Sequence, residues 1–229
     1  MRVLVISDDY WHPGQVPTDG LAPLKEQGFD FEILTDMTDF DPEIMKDYNV
    51  VLLAKSEHIS QQNNENSWKT DVVQNAFVEY VENGGGFLVI HAGTVPGTIN
   101  DTTVLNKLMG CKFAFHPNNS PTIVQPLKPH PVVEGVNTFN EIDEHYHLEI
   151  IADDIDIFMA SYSPAQGDPE KYESEPYFNI KEWICTAGFT RSQGKGRVCV
   201  LTPGHLLEVW LNPEYQRTIS NALRWCAWK

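Results

Sequence analysis

Gly84-Gly85-Gly86-Phe87-Leu88-Val89-Ile90-His91-Ala92-Gly93-Thr94 is the stretch that decides the fold. Three glycines stop whatever helix precedes them. Phe87 to Ile90 is an unbroken apolar run, the pattern of a strand covered on both faces. The chain then leaves that strand abruptly on small and polar residues, beginning with a histidine. Just upstream, Ser67 to Glu82 reads as an amphipathic helix. Its stripe is Val72, Val73, Ala76, Phe77, Tyr80 and Val81. Working further back, Val3 to Ile6, Phe29 to Leu34 and Val50 to Ala54 are three more strand-like runs. A helix over Thr18 to Gln27, ending at Gly28, and a short helix from Pro42 separate them. Strand and helix in alternation imply right-handed crossovers and a mostly parallel sheet. A sheet of that kind collects its ligand outside the carboxyl ends of its strands.

Downstream the character changes. Cys111 to Ser163 is strand-rich and carries many prolines, and Pro164 to Pro176 reads as a polar surface loop. Ile180 to Phe189 and Arg197 to Leu201 read as two strands of a hairpin turning at Ser192-Gln193-Gly194-Lys195-Gly196. A last helix is expected over Pro213 to Trp225, capped by Asn212. No repeat or linker interrupts the 229 residues, so they read as one domain, 1–229.

The net charge of -16 argues against nucleic acid and anionic lipid as partners. It leaves a neutral or cationic small molecule as the expected ligand. Cys111, Cys185, Cys199 and Cys226 have no C-x-x-C or zinc-finger spacing and read as reduced, buried thiols. No apolar run is long enough for a spanning helix, and none resembles a secretory signal, so the expected location is the cytoplasm. Nothing in the sequence argues against a homo-oligomer.

Each core strand is followed by polar residues. After the first come Asp8, Asp9, Tyr10, Trp11 and His12. After the third come Lys55, Ser56, Glu57 and His58. After the fourth come His91, Gly93 and Thr94, and after the last Thr202, Pro203, Gly204 and His205. Four strand ends with a histidine each, from eight histidines in all, point to acid–base or metal chemistry. Glu141 to Ile151 reads as a strand with two faces. Ile142, Glu144, Tyr146, Leu148 and Ile150 lie on the inward face, with Asp143, His145, His147 and Glu149 on a solvated one. An inward Glu144 must be paired or functional. Main-chain N–H groups near Gly93 and Thr94 are positioned to hold an oxyanion or a sugar hydroxyl. His116 ends an aromatic strand and can reach the same edge.

The order of these segments resembles the ThuA-like family, named for trehalose utilisation. The residues that carry it are Gly-Gly-Gly-Phe-Leu-Val-Ile-His91-Ala-Gly, Phe115-His116-Pro117, His130-Pro131-Val132-Val133-Glu134-Gly135 and Asp143-Glu144-His145-Tyr146. Gly194-Lys195-Gly196-Arg197-Val198 and Thr202-Pro203-Gly204-His205 complete it. The resemblance implies a flavodoxin-like three-layer sandwich similar to class I glutamine amidotransferases, and a role on sugars, including oxidised (keto) disaccharides. It places site residues at His91, Glu144, Tyr146 and His205, with His12 and His116 beside them. Where amidotransferases carry a catalytic cysteine this chain has His91, so no glutaminase activity is implied.

Three functions follow. The first is an enzyme on a carbohydrate, with His91, Glu144 and His205 catalytic and Trp11, His12, Gly93, Thr94, His116 and Tyr146 binding substrate. The second adds a divalent metal such as zinc, held by His91, His205 and Glu144. The third is a non-catalytic sugar-binding or interaction protein on the same scaffold.

Overall fold

A computed structural model describes residues 1–95, 102–163 and 184–227. Its centre is a nine-stranded sheet in two parts. The parallel part has five strands: β1 (Arg2–Ser7), β2 (Asp30–Leu34), β3 (Val50–Ala54), β4 (Gly86–Ile90) and β11 (Gly196–Leu201). They lie in the order β2-β1-β3-β4-β11, each parallel to its neighbour. The antiparallel part continues from β11 through β10 (Ile184–Gln193), β9 (Asp156–Tyr162), β6 (Ser120–Pro126) and β7 (Phe139–Asp143). Two remaining strands, β5 (Cys111–Phe115) and β8 (His147–Ile150), pair with each other as a separate antiparallel ribbon.

Helices cover both faces, and the alternation of side chains along each strand feeds two cores. One joins Val3, Val5, Leu52, Leu88, Ile90, Cys199 and Leu201 to Leu21 of α1 (Gln15–Leu21). The same core takes Trp210 of α4 (Leu207–Leu211) and Tyr215, Ile219 and Leu223 of α5 (Pro213–Ala227). The other joins Leu4, Ile6, Val51, Leu53, Phe87, Val89, Val198 and Val200 to Phe77, Tyr80 and Val81 of α2 (Asp71–Glu82). Leu105, Leu108 and Met109 of α3 (Val104–Met109) complete it. The result is the expected three-layer α/β sandwich. The unbroken apolar strands are those with helices on both sides.

Element boundaries follow local chemistry. Helix α2 begins at Asp71 rather than at Ser67, because Thr70 is its cap and accepts from the Val73 N–H at 3.3 Å. Ser67 instead bridges His58, and Trp68 is buried with its indole N–H on the Ser56 carbonyl at 2.7 Å. The helix read over Thr18 to Gln27 is α1 followed by a 3₁₀ turn over Ala22–Gln27, closed by Gly28 at φ 88°. Pro23 has no N–H to donate back along the chain, and the backbone tightens there. The hairpin from β10 to β11 and the Asn212 cap are found where the sequence put them. Asn212 Oδ1 accepts from the Glu214 N–H at 3.0 Å. The loop read over Pro164 to Pro176, and the Ile180 end of its following strand, lie outside the described residues.

The single strand read over Glu141 to Ile151 is a correction. It is two strands, β7 and β8, in different sheets, and residues 144–146 between them belong to neither. The outward face assigned to Asp143, His145 and His147 is wrong as well, since all three are buried. The segment crosses from the edge of the large sheet to the small ribbon, so protein covers it on both sides. From Asp143 to His147 no residue is exposed, while Ile142, read as inward, is 47% exposed.

Candidate active site

Four strand ends and the 144–146 crossover meet at the carboxyl edge of the parallel strands. Beyond β1, Asp8 takes a left-handed conformation at φ 75°. The buried ammonium of Lys55, just past β3, donates to the carbonyls of Asp8 and, at 3.1 Å, of Thr35. Burial lowers that ammonium to about 8. Asp9 is fully buried and satisfies its neighbourhood from both oxygens. Oδ1 accepts from the N–H groups of Trp11 (2.8 Å) and His12 (3.0 Å) and from the His12 ring at Nδ1 (2.9 Å). Oδ2 accepts from the Ser56 N–H at 2.8 Å, tying the end of β1 to the end of β3. Burial pushes the Asp9 carboxyl up, but His12 and these donors outweigh it and hold Asp9 well below the carboxylate range.

Beyond β4, His91 also has a left-handed backbone, at φ 48°. Its ring is turned in by two contacts. Nδ1 lies 2.7 Å from the Thr202 carbonyl, and Nε2 lies 3.2 Å from Glu144 Oε2. The turn packs tightly on β3: a Cβ on Gly93 would sit 2.3 Å from the Leu53 carbonyl oxygen. Beyond β11, the N–H groups of Gly204 and His205 donate to the two oxygens of Asp143 at 2.8 and 2.9 Å. Gly204 itself is at φ 143°, and a Cβ there would press on Ile90 and His91 at 3.0 and 3.3 Å. Asp143 therefore fixes the loop that presents His205.

Glu144 is the hub. Its Oε2 lies 3.2 Å from His91 Nε2, 3.1 Å from His205 Nδ1 and 3.5 Å from His116 Nε2. The His205 contact is close but not aligned as a hydrogen bond. Tyr146 completes the wall, its ring stacked on His91 at 3.8 Å and parallel to His116 at 5.3 Å, with its hydroxyl 3.4 Å from His12 Nε2. His12, His116, Glu144, Tyr146 and His205 line a cavity of about 540 Å³ together with Glu57, His58 and Trp11, the last 65% exposed, while His91 is buried behind them. That volume falls in the range of roughly 300–1,000 Å³ common for small-molecule sites.

The protonation pattern is constrained by the partners. A carbonyl and a carboxylate only accept, so both His91 contacts call for a ring hydrogen. A neutral ring has one hydrogen for these two acceptors, Thr202 O at 2.7 Å and Glu144 Oε2 at 3.2 Å. Protonating His91 would relieve this, but burial lowers its pKa to about 4 despite Glu144 beside it. Glu144 takes no proton either. Burial pushes it up, yet its contacts with His205 and His91 hold it well below the usual carboxylate range. Burial opposes charge on His205 too, though the Glu144 carboxylate in contact with it raises its affinity for a proton. The His12 ring meets Asp9 through Nδ1 and turns Nε2 toward the Tyr146 hydroxyl, 3.4 Å away. One donor atom from each of His12, His91, Glu144 and His205 lies within 4.8 Å of the other three. A ring whose second nitrogen is held by a carbonyl or carboxylate is the arrangement metal-binding histidines use. Three imidazoles and a carboxylate suit zinc or a similar divalent ion. These residues fit one.

The structure thus brings His12, His91, His116, Glu144, Tyr146 and His205 together, with Trp11 at the mouth. It keeps Gly93 and Thr94 out. Both are buried behind His91, with the Thr94 hydroxyl on the His91 carbonyl at 2.8 Å, and Val95 lines the cavity instead. Two participants were missed in the sequence. Asp9 carried a usable signal, an Asp-x-x-His at a strand end. Asp143 carried none, because simple alternation placed it in water.

The fold and the site together define an α/β sandwich protein with an imidazole–carboxylate pocket at the carboxyl edge of its parallel strands. Residues 2–226 match the family model described as ThuA, trehalose utilisation, and the chain belongs to that family. Membership indicates a carbohydrate-related role. Among curated proteins no relative matches the chain. In fold it is similar to a ThuA-like protein from Bacteroides uniformis (21% identity, TM-score 0.70, 99% of this chain and 91% of that one). A ThuA-like protein from Parabacteroides merdae is comparable (18%, 0.72, 99% and 90%). The same architecture recurs within a β-galactosidase from Rahnella sp. R3 (13%, 0.63, 97% of this chain and 31% of that one). No helix among the described residues is long and apolar enough to cross a membrane.

Proposed function

We propose that this protein is an enzyme acting on a sugar or keto-sugar by metal-assisted acid–base chemistry. The observation that carries the reading is the convergence of one donor atom each from His12, His91, Glu144 and His205 within 4.8 Å of one another. His12, His91, Glu144 and His205 would hold a divalent ion such as zinc. Bound there, it would polarise a sugar hydroxyl, a carbonyl or a water molecule. The remaining groups do the protein's share. Asp9 and the Thr202 carbonyl fix the two rings they touch. Tyr146 gives a flat wall between His91 and His116. Trp11 offers an exposed aromatic face at the mouth for the C–H surface of a sugar ring. His116 is partly exposed and 3.5 Å from Glu144, placed to carry a proton between the site and solvent.

The test uses protein purified without chelators or added metal. Elemental analysis should find a divalent metal that Glu144→Gln loses, and turnover should appear on a panel of keto and ordinary disaccharides. Saturable sugar binding with no product would instead support a binding protein. Glu144→Gln protein with undiminished turnover would end the assignment.

A further inference from the structure

A second group of metal-type donors lies behind the pocket, on the reverse side of the same crossover. His145 and His147 flank Tyr146 in sequence and point away from the cavity wall that Tyr146 forms. They meet Cys185 of β10, 38 residues away from His147 in the chain. The thiol sulfur lies 3.1 Å from His147 Nδ1, and one donor atom from each of the three residues lies within 4.8 Å of the others. All three are buried. Ser161, which pairs with Cys185 across β9 and β10, places its hydroxyl 3.0 Å from His145 Nε2.

We propose that His145, His147 and Cys185 form a buried zinc site, with the Ser161 hydroxyl or a water beside the fourth position. Two imidazoles and a thiolate are the donors of a borderline-soft ion, and four-coordinate zinc takes such sets. Ligand atoms on one coordination shell stand some 3–4 Å apart, given zinc bonds of about 2.0–2.3 Å. The donors here already stand near that separation, with Cys185 Sγ 3.1 Å from His147 Nδ1 and all three within 4.8 Å. Binding balances simply: the thiol releases one proton to solvent, both rings stay neutral, and the sulfur gains the metal as partner. Burial otherwise keeps the Cys185 thiol protonated.

The consequence is mechanical. The segment between the two imidazole ligands is Tyr146, and Glu144 precedes the first. An ion gripped from behind would pin both pocket residues to the β9–β10 sheet. This site stands on its own donors whether or not the pocket holds an ion.

Cobalt distinguishes the two clusters, since only this one contains sulfur. Adding Co²⁺ alone to metal-stripped protein should produce a thiolate-to-cobalt charge-transfer band in the near ultraviolet. The band should persist in Glu144→Gln, which disables the pocket cluster, and vanish in Cys185→Ser. Elemental analysis should show one zinc per chain fewer in Cys185→Ser than in wild type. His147→Gln gives a second, milder variant, expected to weaken cobalt binding at least tenfold, and circular dichroism verifies that each variant folds. Wild-type protein with no such band at saturating cobalt overturns the proposal without recourse to any variant. So does a band that survives Cys185→Ser, which would place the thiolate at Cys111, Cys199 or Cys226.

Discussion

Residues 143–147 present side chains to two quite different surroundings. On one side Glu144 and Tyr146 meet four imidazoles at the wall of a cavity open to water. On the other, His145 and His147 are buried against a thiol and a serine. The first set offers a carboxylate, exchangeable solvent and an exposed aromatic rim, which is what turning over a small molecule requires. The second offers sulfur and burial, which suits a fixed structural role. Identical residue types thus divide between reaction and support according to access to water and to the one donor that differs, carboxylate or thiol.

That contrast breaks most readily at Glu144. Glu144→Gln keeps the shape and removes the charge that three imidazoles share. Turnover on a sugar substrate should fall by about 10²–10⁴-fold, the usual weight of a positioned acid–base group. The melting temperature should scarcely move, because the amide keeps the side chain's size and can still hydrogen-bond the His91 ring. A large loss of stability with activity retained would mean that the wet side, too, is only structural. Asp9→Asn comes next. Losing the carboxylate that holds the His12 ring should weaken metal binding by about 10–100-fold, read by competition with a chelator.

Most of this arrangement could be read from the sequence, for identifiable reasons. The parallel strands were visible because helices cover both their faces, which leaves unbroken runs such as Val50 to Ala54 and Phe87 to Ile90. The convergence of His91 and His205 was visible because an open parallel sheet sends all its carboxyl ends to one edge. Glu144 stood out as a carboxylate on an otherwise apolar alternation. The reverse face did not. Alternation identifies two faces but not what covers each, and the cover of His145 and His147 comes from β9 and β10, far along the chain. Gly93 failed differently. Its place after a strand offers its main chain to a ligand, yet its missing Cβ serves the close approach to the Leu53 carbonyl.

Asp143 sharpens the contrast from underneath, since it touches neither cluster's donor atoms and only holds the His205 loop. Asp143→Asn should cost about 1–3 kcal/mol, the range for leaving buried N–H donors poorly matched. Burial lifts the native carboxyl to about 7 against the pull of the Gly204, His205 and Glu144 N–H groups. Between the unfolded value near 3.8 and about 7, the native state retains a proton that the unfolded chain has released. The stability this group contributes is therefore greatest at low pH, declines as pH rises through that window and is level above it. Denaturant titrations of wild type and Asp143→Asn should show their difference shrinking from pH 4 to 7. A constant difference would mean the carboxyl is ionised throughout and acts as a plain anion under the loop.

The smallest effect is expected at the rim. Trp11 is 65% exposed and packs edge-on against Tyr10 with ring centroids 4.6 Å apart. Trp11→Ala should shift stability by no more than about 0.5 kcal/mol, as for most surface changes. If its face receives a sugar ring, KM should rise by a factor of about five, from roughly 1 kcal/mol of lost contact, while kcat holds. A fall in kcat with KM unchanged would place Trp11 among the groups that shape the reacting geometry. The boundary between binding rim and reactive wall would then lie farther out than Tyr146.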